Sequence, residues 1–141
     1  MIPAFIGLIV AAHSRLVPAG PTETVNEAKR ILNDLIEENN RVANALAKVS
    51  NVNNARAIET ELTDAMTDRE QIASRFQAFL VAHQYDRATK ADEESMKVYE
   101  DRLKQQVGIL SKHANRISGL RDYSEIRRAA PGVADAVDAL R

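Results

Sequence analysis

The sequence between residues 25 and 49 reads VNEAKRILNDLIEENNRVANALAKV. Its main stripe recurs at alternating spacings of three and four residues, the a and d pattern of a heptad repeat. Ile31, Ile36 and Ala43 widen the stripe, as expected for a bundle helix with more than one neighbour. We therefore predict a long amphipathic helix with this stripe: Val25, Ala28, Leu32, Leu35, Asn39, Val42, Leu46 and Val49.

Two further stretches repeat the same spacing. The second predicted helix follows a turn at residues 51–54, and the third follows a connection at residues 83–90. Gly119 is expected to end the third helix in the left-handed backbone conformation. The second stripe is Ala55, Ile58, Leu62, Ala65, Arg69, Ile72, Phe76, Phe79 and His83, and the third is Met96, Tyr99, Leu103, Gln106, Leu110, His113 and Ile117.

Two short patterns predict where helices begin. Thr24 with Glu27, and Thr89 with Asp92, have the spacing of a capping box. In that motif the N-cap hydroxyl accepts a hydrogen bond from an amide three residues later, and the acidic side chain returns to the N-cap amide. We expect these pairs to cap the first and third helices.

The C-terminal residues predict a helical tail. A short helix is expected to start at Asp122 or Ser124, to be broken at Pro131 and Gly132, and to be followed by one or two amphipathic turns. No stretch shows the alternation of a strand. We predict an all-α fold: an antiparallel three-helix up-down-up bundle with a short C-terminal helical tail and an apolar N-terminal arm.

Residues 1–20 form that arm, before a single domain at residues 21–141. The apolar run from Ile2 to Ala12 is about half the length that a membrane-spanning helix needs. Val17 and Ala19 are small residues at the positions that signal peptidase reads, although no Lys or Arg precedes the run. We interpret the segment as a signal peptide; the alternative is an arm that packs on the body or inserts into a partner.

Composition excludes several classes of function. The chain has 141 residues, 45% of them hydrophobic and 28% charged, with a net charge of -1. This is the composition of one globular domain without the basic excess of a nucleic-acid-binding protein. Zero Cys excludes disulfides, thiolate metal sites and cysteine catalysis.

Each long predicted helix carries a polar residue in the middle of its apolar stripe: Asn39, Arg69 and Gln106. Antiparallel pairing about the two turns brings them to similar height, where Arg69 could reach Gln106, Asn39 or the carboxylates of Glu37 and Glu38. One interpretation is a polar layer that lines a small ligand site. The others are a layer that fixes helix register, or an Arg69 that extends its guanidinium to solvent.

The motifs of helical-bundle enzymes are missing. No His lies three residues after a Glu, as di-iron bundles require, and no two His are four residues apart. With five Gly in the chain, there is no Gly-rich loop to cradle a phosphate. We predict a protein with no catalytic residue, no metal site and no cofactor.

The charge is mildly polarised along the chain. Residues 51–87 carry a net -2 and residues 88–121 a net +2, from four basic and six acidic, then seven basic and five acidic groups. A row of basic residues along the third helix could bind an anionic partner, or complement the acidic second helix. Its members are Lys97, Lys104, Lys112, Arg116 and Arg121, followed by Arg127 and Arg128.

The segments LAKVSNVNNARAIETEL at residues 46–62 and VYEDRLKQQVGILSKHANRI at residues 98–117 carry a resemblance. The region 46–129 resembles small secreted helical proteins of planctomycete-type bacteria. Such proteins have a signal peptide followed by two or three charged helices. The resemblance implies an exported location and transfers no activity and no functional residue.

These observations favour a non-enzymatic helical-bundle interaction or structural protein, exported or associated with the cell envelope. Its expected partner is another protein or a second copy, bound through helix faces, and no nucleic acid is expected. The alternative is a subunit of a larger assembly (a virion, filament or membrane complex) in which residues 1–19 dock on a neighbour or enter the bilayer. A further alternative is a ligand-binding bundle that uses the polar layer around Arg69.

Overall fold

The structure, a computed structural model, describes residues 22–84 and 89–141. Helices account for 89% of these residues, and none of them lies in a β-strand. The prediction of an all-helical fold is therefore confirmed. The predicted N-terminal arm, residues 1–20, lies outside the described residues.

Five helices occupy the described residues: α1 (Thr22–Ala47), α2 (Val52–Ala82), α3 (Lys90–Ser118), α4 (Tyr123–Ala129) and α5 (Pro131–Leu140). Two predicted starts are wrong. α1 begins two residues before Thr24, so Thr24 lies inside the helix and is not its N-cap. α2 begins inside the predicted turn because Asn51 Oδ1 accepts the Asn54 N–H at 2.9 Å and so caps the helix at Val52.

Both ends of α3 follow capping signals in the sequence. The Asp92 N–H donates to Thr89 Oγ1 at 3.0 Å, and the Thr89 N–H donates to Asp92 Oδ2 at 3.2 Å, which forms the predicted capping box. Gly119 follows the helix, and its N–H donates to the carbonyls of Asn115 and Arg116. Its φ lies outside the left-handed region, so the predicted left-handed conformation is wrong although the predicted stop is correct.

The described chain divides into two compact units. The first comprises residues 22–36, 70–84 and 89–105, and the second comprises residues 37–69 and 106–141. In the first unit an ion pair joins α1 to α2, with Arg75 Nη2 and Asp34 Oδ2 2.7 Å apart. The buried apolar side chains of the first unit are Val25, Ala28, Ile31, Leu32, Leu35, Ala73, Phe76, Met96 and Leu103.

The core of the second unit includes the C-terminal tail. The predicted short helix ends before Pro131, at Ala129, as expected. Pro131 and Gly132 do not lie between two helices, however, because Pro131 is the first residue of α5, a position where a missing N–H costs no intrahelical bond. The core combines Val42, Ala45, Leu46, Val49, Ala55, Ile58, Leu62, Ala65, Leu110, Ala114 and Ile117 with the tail residues Ile126, Ala130, Val133, Ala136 and Val137.

Gly132 lies where α5 meets α2. Its N–H donates to Glu59 Oε2 at 2.8 Å, and a Cβ built on it would lie 2.8 Å from Thr63 Oγ1. Gly108, in the middle of α3, is the opposite case. Among the described residues no heavy atom, apart from its own helix backbone and chain neighbours, lies within 4 Å of its Cβ position.

Because their surroundings differ, we expect alanine substitutions at these two glycines to change the free energy of unfolding in opposite directions. Gly132→Ala is expected to lower the free energy of unfolding by about 1–2 kcal/mol, because Thr63 and Glu59 must move. Gly108→Ala is expected to raise the same quantity by up to about 1 kcal/mol, since alanine is the better helix former. Urea denaturation of both variants measures the difference. Equal effects of the two alanines would contradict this packing of α5 against α2.

Candidate functional site

The three polar residues of the predicted layer lie in the interior of the second unit. Asn39 on α1 is 1% exposed, Arg69 on α2 is 8% exposed and Gln106 on α3 is 4% exposed. Each occupies a stripe position whose neighbours on the same stripe are apolar. A solvent-extended Arg69, one of the interpretations considered above, does not agree with this burial.

A directed series of hydrogen bonds connects the layer. Arg69 Nε donates to Asn39 Oδ1 at 2.6 Å, and Asn39 Nδ2 donates to Gln106 Oε1 at 3.1 Å. Gln106 Nε2 then donates to Oδ1 of Asn40 at 2.9 Å. The series thus starts at the guanidinium of Arg69 on α2 and passes through Asn39 on α1 and Gln106 on α3. It ends at the exposed side-chain amide of Asn40 on α1. Asn40 was not singled out from the sequence, because it lies off the apolar stripe.

An ion-pair cluster lies beside the layer in the same unit. Arg41 Nη1 lies 3.1 Å from Glu38 Oε2 and 3.1 Å from Asp68 Oδ2. The hydrogen bond to Asp68 is the main cause that raises the pKa of Arg41 above its ordinary value, and Glu38 adds to it. Glu38, considered above as a partner of Arg69, thus pairs with Arg41.

The groups of the layer have little acid–base reactivity. They are two amides and a guanidinium, and a guanidinium does not release its proton at neutral pH. Every buried side-chain N or O atom of the described residues has a hydrogen-bond partner. In the described ranges, 22–84 and 89–141, no three His, Asp or Glu side chains group as metal ligands.

Arg116 caps the C-terminal end of α1. Its Nη1 donates to the Val49 carbonyl at 2.6 Å and its Nη2 to the Leu46 carbonyl at 2.8 Å. Two local bonds also close this end of the helix: the Lys48 N–H donates to the Ala45 carbonyl at 3.2 Å, and the Val49 N–H donates to the Leu46 carbonyl at 3.1 Å. Arg116 therefore supplies a second donor to Leu46 and a donor to the Val49 carbonyl beyond the helix. The sequence placed Arg116 in a row of basic residues that could bind an anionic partner or complement the acidic second helix, and in the structure its guanidinium donates to the end of α1.

A groove of about 360 Å³ in the second unit is lined by Ile109, Lys112, His113 and Arg116. Burial is the main cause that lowers the pKa of His113 below its ordinary 6.5, and repulsion from Arg116 adds to it. A neutral imidazole is therefore favoured at this position near neutral pH.

Because the pKa of His113 is lowered in the folded chain, we expect the free energy of unfolding to fall at acidic pH. Because its pKa is lower in the folded chain, the unfolded chain binds more protons as the pH falls. Its contribution to stability is complete above the unfolded pKa and is lost as the pH falls through the folded pKa. We expect His113→Gln to lose less unfolding free energy than the wild type between about pH 7.5 and about pH 5. Urea midpoints at the two pH values test this, and an unchanged pH dependence in the variant would contradict it.

A second groove, of about 600 Å³, lies in the first unit between α1 and α3. Its apolar members are Ile36, Val98 and Tyr99, and Val98 is 68% exposed. The remaining lining residues are Asn33, Asp101, Arg102 and Gln105. The lining of the groove therefore combines apolar side chains with polar and charged ones.

Comparison with known proteins identifies no relative: no family model, curated protein or solved structure matches the chain. The resemblance to secreted planctomycete-type proteins stays a prediction. Among the helices in the described part of the chain, none combines the length and apolar character needed to cross a bilayer.

Proposed function

We propose that this protein is a non-enzymatic helical-bundle protein that acts by binding other proteins through its helix faces. The observation that carries the proposal is the groove of the first unit, where the exposed Val98 lies with Ile36 and Tyr99. Single exposed apolar side chains need no explanation, but a group with a polar rim is typical of interaction sites. Asp101 and Arg102 supply charges of both signs at that rim.

In this proposal the polar layer is a register device. Arg69, Asn39 and Gln106 come from three different helices and bond one another. Sliding α2 by one turn would separate the buried guanidinium from the Asn39 oxygen, which is costly in an apolar interior. The mutual bonds support a structural role for the layer over the ligand-binding alternative.

The same proposal includes an antiparallel up-down-up order of the three long helices. The polar layer agrees with this order. In the second unit Arg41 pairs with Asp68, and Lys48 pairs with Glu61, so residue numbers rise on α1 as they fall on α2. Between α1 and α3 the numbers rise together. Two hydrogen-bonded α1–α3 pairs that show this are Asn39 with Gln106 and Leu46 with Arg116.

Export or envelope association is the proposed location, on the grounds of the apolar run from Ile2 to Ala12 and the small residues that follow it. Intact mass and N-terminal sequencing of the protein from its native source test this. A mature chain that starts near Gly20 supports export. A chain that retains Met1 contradicts cleavage and favours the assembly alternative, in which residues 1–19 dock on a neighbour.

The contact function is tested by a photo-crosslinking side chain placed at Val98. The matched control position is Lys97, which is exposed on the same helix. The proposal predicts a discrete protein adduct in the native cell at position 98 and a much weaker one at 97. Unlabelled wild-type protein should compete for the adduct, and Val98→Asp should not. Equal adducts at both positions, or no adduct at 98, would contradict the proposal.

A further inference from the structure

Gly108 has no explanation within the described part of the chain. A glycine in the middle of a helix lowers stability relative to alanine, and it is retained where something must approach the backbone closely. Among the described residues nothing outside the local backbone lies within 4 Å of its Cβ position. The next residue, Ile109, is 41% exposed. A small residue beside an exposed apolar one leaves room for another molecule to approach α3 here.

The charge around Gly108 is of one sign. Between residues 106 and 121 there is no acidic residue. Lys112 lies one turn after Gly108 and Ile109, is exposed, and forms no ion pair with any described residue. We call Gly108, Ile109 and Lys112 the basic face. The basic face presents one apolar side chain, Ile109, with a cation, Lys112, beside it. A complementary surface therefore needs a small recess for the apolar side chain and carboxylates next to that recess.

The same unit carries such a surface on α2. Ala57, Thr60, Glu61 and Asp64 are all exposed and have the spacing of the four residues that receive one side chain in knobs-into-holes packing. Ala57 and Thr60 are small, while Glu61 and Asp64 are acidic. Glu61 has a loose ion pair with Lys48, at 3.8 Å, and Asp64 has none with the described residues. We call these four residues the acidic face.

We propose that the basic face of one copy of this chain binds the acidic face of a second copy. Ile109 packs among Ala57, Thr60 and Asp64, Gly108 lets the helices approach, and Lys112 pairs with Asp64. Because the two faces are different surfaces, the contact is head-to-tail and forms a ring or a filament. The inference deepens the proposed function, since it names a second copy as one partner.

The size of the contact predicts its strength. Two helix faces of a few residues each bury less surface than a standard protein interface, so association is weak and increases with concentration. Exposed charges supply much of the selectivity, and salt therefore weakens the contact. Sedimentation velocity over a concentration series, at about 0.02 M and about 0.5 M salt, is the appropriate measurement.

The decisive experiment uses two charge reversals. Lys112→Glu disables the basic face and Asp64→Lys disables the acidic face, and each is expected to lower the association constant at least about tenfold. A mixture of the two variants has the wild-type charges at one contact and an oppositely charged pair with the signs exchanged at the other, so it should associate although neither variant does so alone. Lys97→Glu, the same charge change outside the basic face, should associate as the wild type does. Circular dichroism establishes that all variants are folded.

Gly108→Ala gives an independent readout, because it should unfold at higher urea than the wild type and yet associate less. A wild-type chain that stays monomeric throughout, or charge variants that associate as the wild type does, would overturn the inference. A mixture that stays monomeric while the wild type associates would also overturn it. The crosslink at position 98 lies outside both faces, so its presence or absence reports on the proposed function separately.

Discussion

Asn39→Leu is expected to lower the free energy of unfolding by about 3 kcal/mol, although it adds apolar volume to the interior. The substitution removes the oxygen that accepts the Arg69 Nε–H and the amide that donates to Gln106. Truncating one partner of a buried charged hydrogen bond is strongly destabilising, because the other partner stays in an apolar interior. Urea denaturation followed by circular dichroism measures the loss.

A matched control separates this effect from helix propensity. Asn44→Leu makes the same change at an exposed position of the same helix and should alter stability by no more than about 0.5 kcal/mol. Comparable losses for the two variants would contradict an energetic role of the Asn39 bonds.

Arg116→Met is expected to lower the free energy of unfolding by about 2–3 kcal/mol. Methionine keeps much of the aliphatic stem but donates no hydrogen bond to the Leu46 and Val49 carbonyls. Arg116→Lys should recover only part of the loss, since an ammonium does not reproduce the planar fork that spans two acceptors.

The control for Arg116 is Arg127→Met, near the C-terminus. Arg127 has a half-exposed side chain, and its Nη1 lies 3.5 Å from Asp138 Oδ2. An exposed ion pair of this kind contributes at most about 1 kcal/mol. If Arg116→Met cost no more than Arg127→Met, the end of α1 would not depend on Arg116.

The apolar stripes could be read from sequence because helical periodicity is a local property. Leu32, Leu46 and Leu62 are fully buried, as their stripe positions indicate. The polar layer follows from the same periodicity, since a polar residue on such a stripe enters the interior with its neighbours. Counting residues outward from the two turns also shows which positions of neighbouring helices lie at the height of Arg69. Asn39 was among the few partners for Arg69 that this count allowed.

Helix caps whose two partners lie far apart in the sequence could not be predicted from periodicity. Arg116 acts on carbonyls 67 and 70 residues earlier in the chain, and Glu59 caps the start of α5 from 73 residues away. No local pattern encodes such distant pairs. The local bonds from Lys48 and Val49 that close the end of α1 give no indication of a further donor from α3. Local capping, as at Thr89 and Asp92, was readable because both partners lie within one turn.

The central claim is that the Asn39–Arg69–Gln106 layer fixes the architecture, while binding takes place on the helix faces. The most direct test combines Asn39→Leu, Arg69→Met and Gln106→Leu in one chain carrying the crosslinker at position 98. The account predicts a folded chain at least as stable as Asn39→Leu alone, because no charge is left in the interior, and an undiminished adduct at 98 as long as amide hydrogen exchange shows that the helix register is unchanged. A folded triple variant that keeps the wild-type exchange pattern and has lost the adduct would show that the layer itself takes part in binding, and would contradict the account.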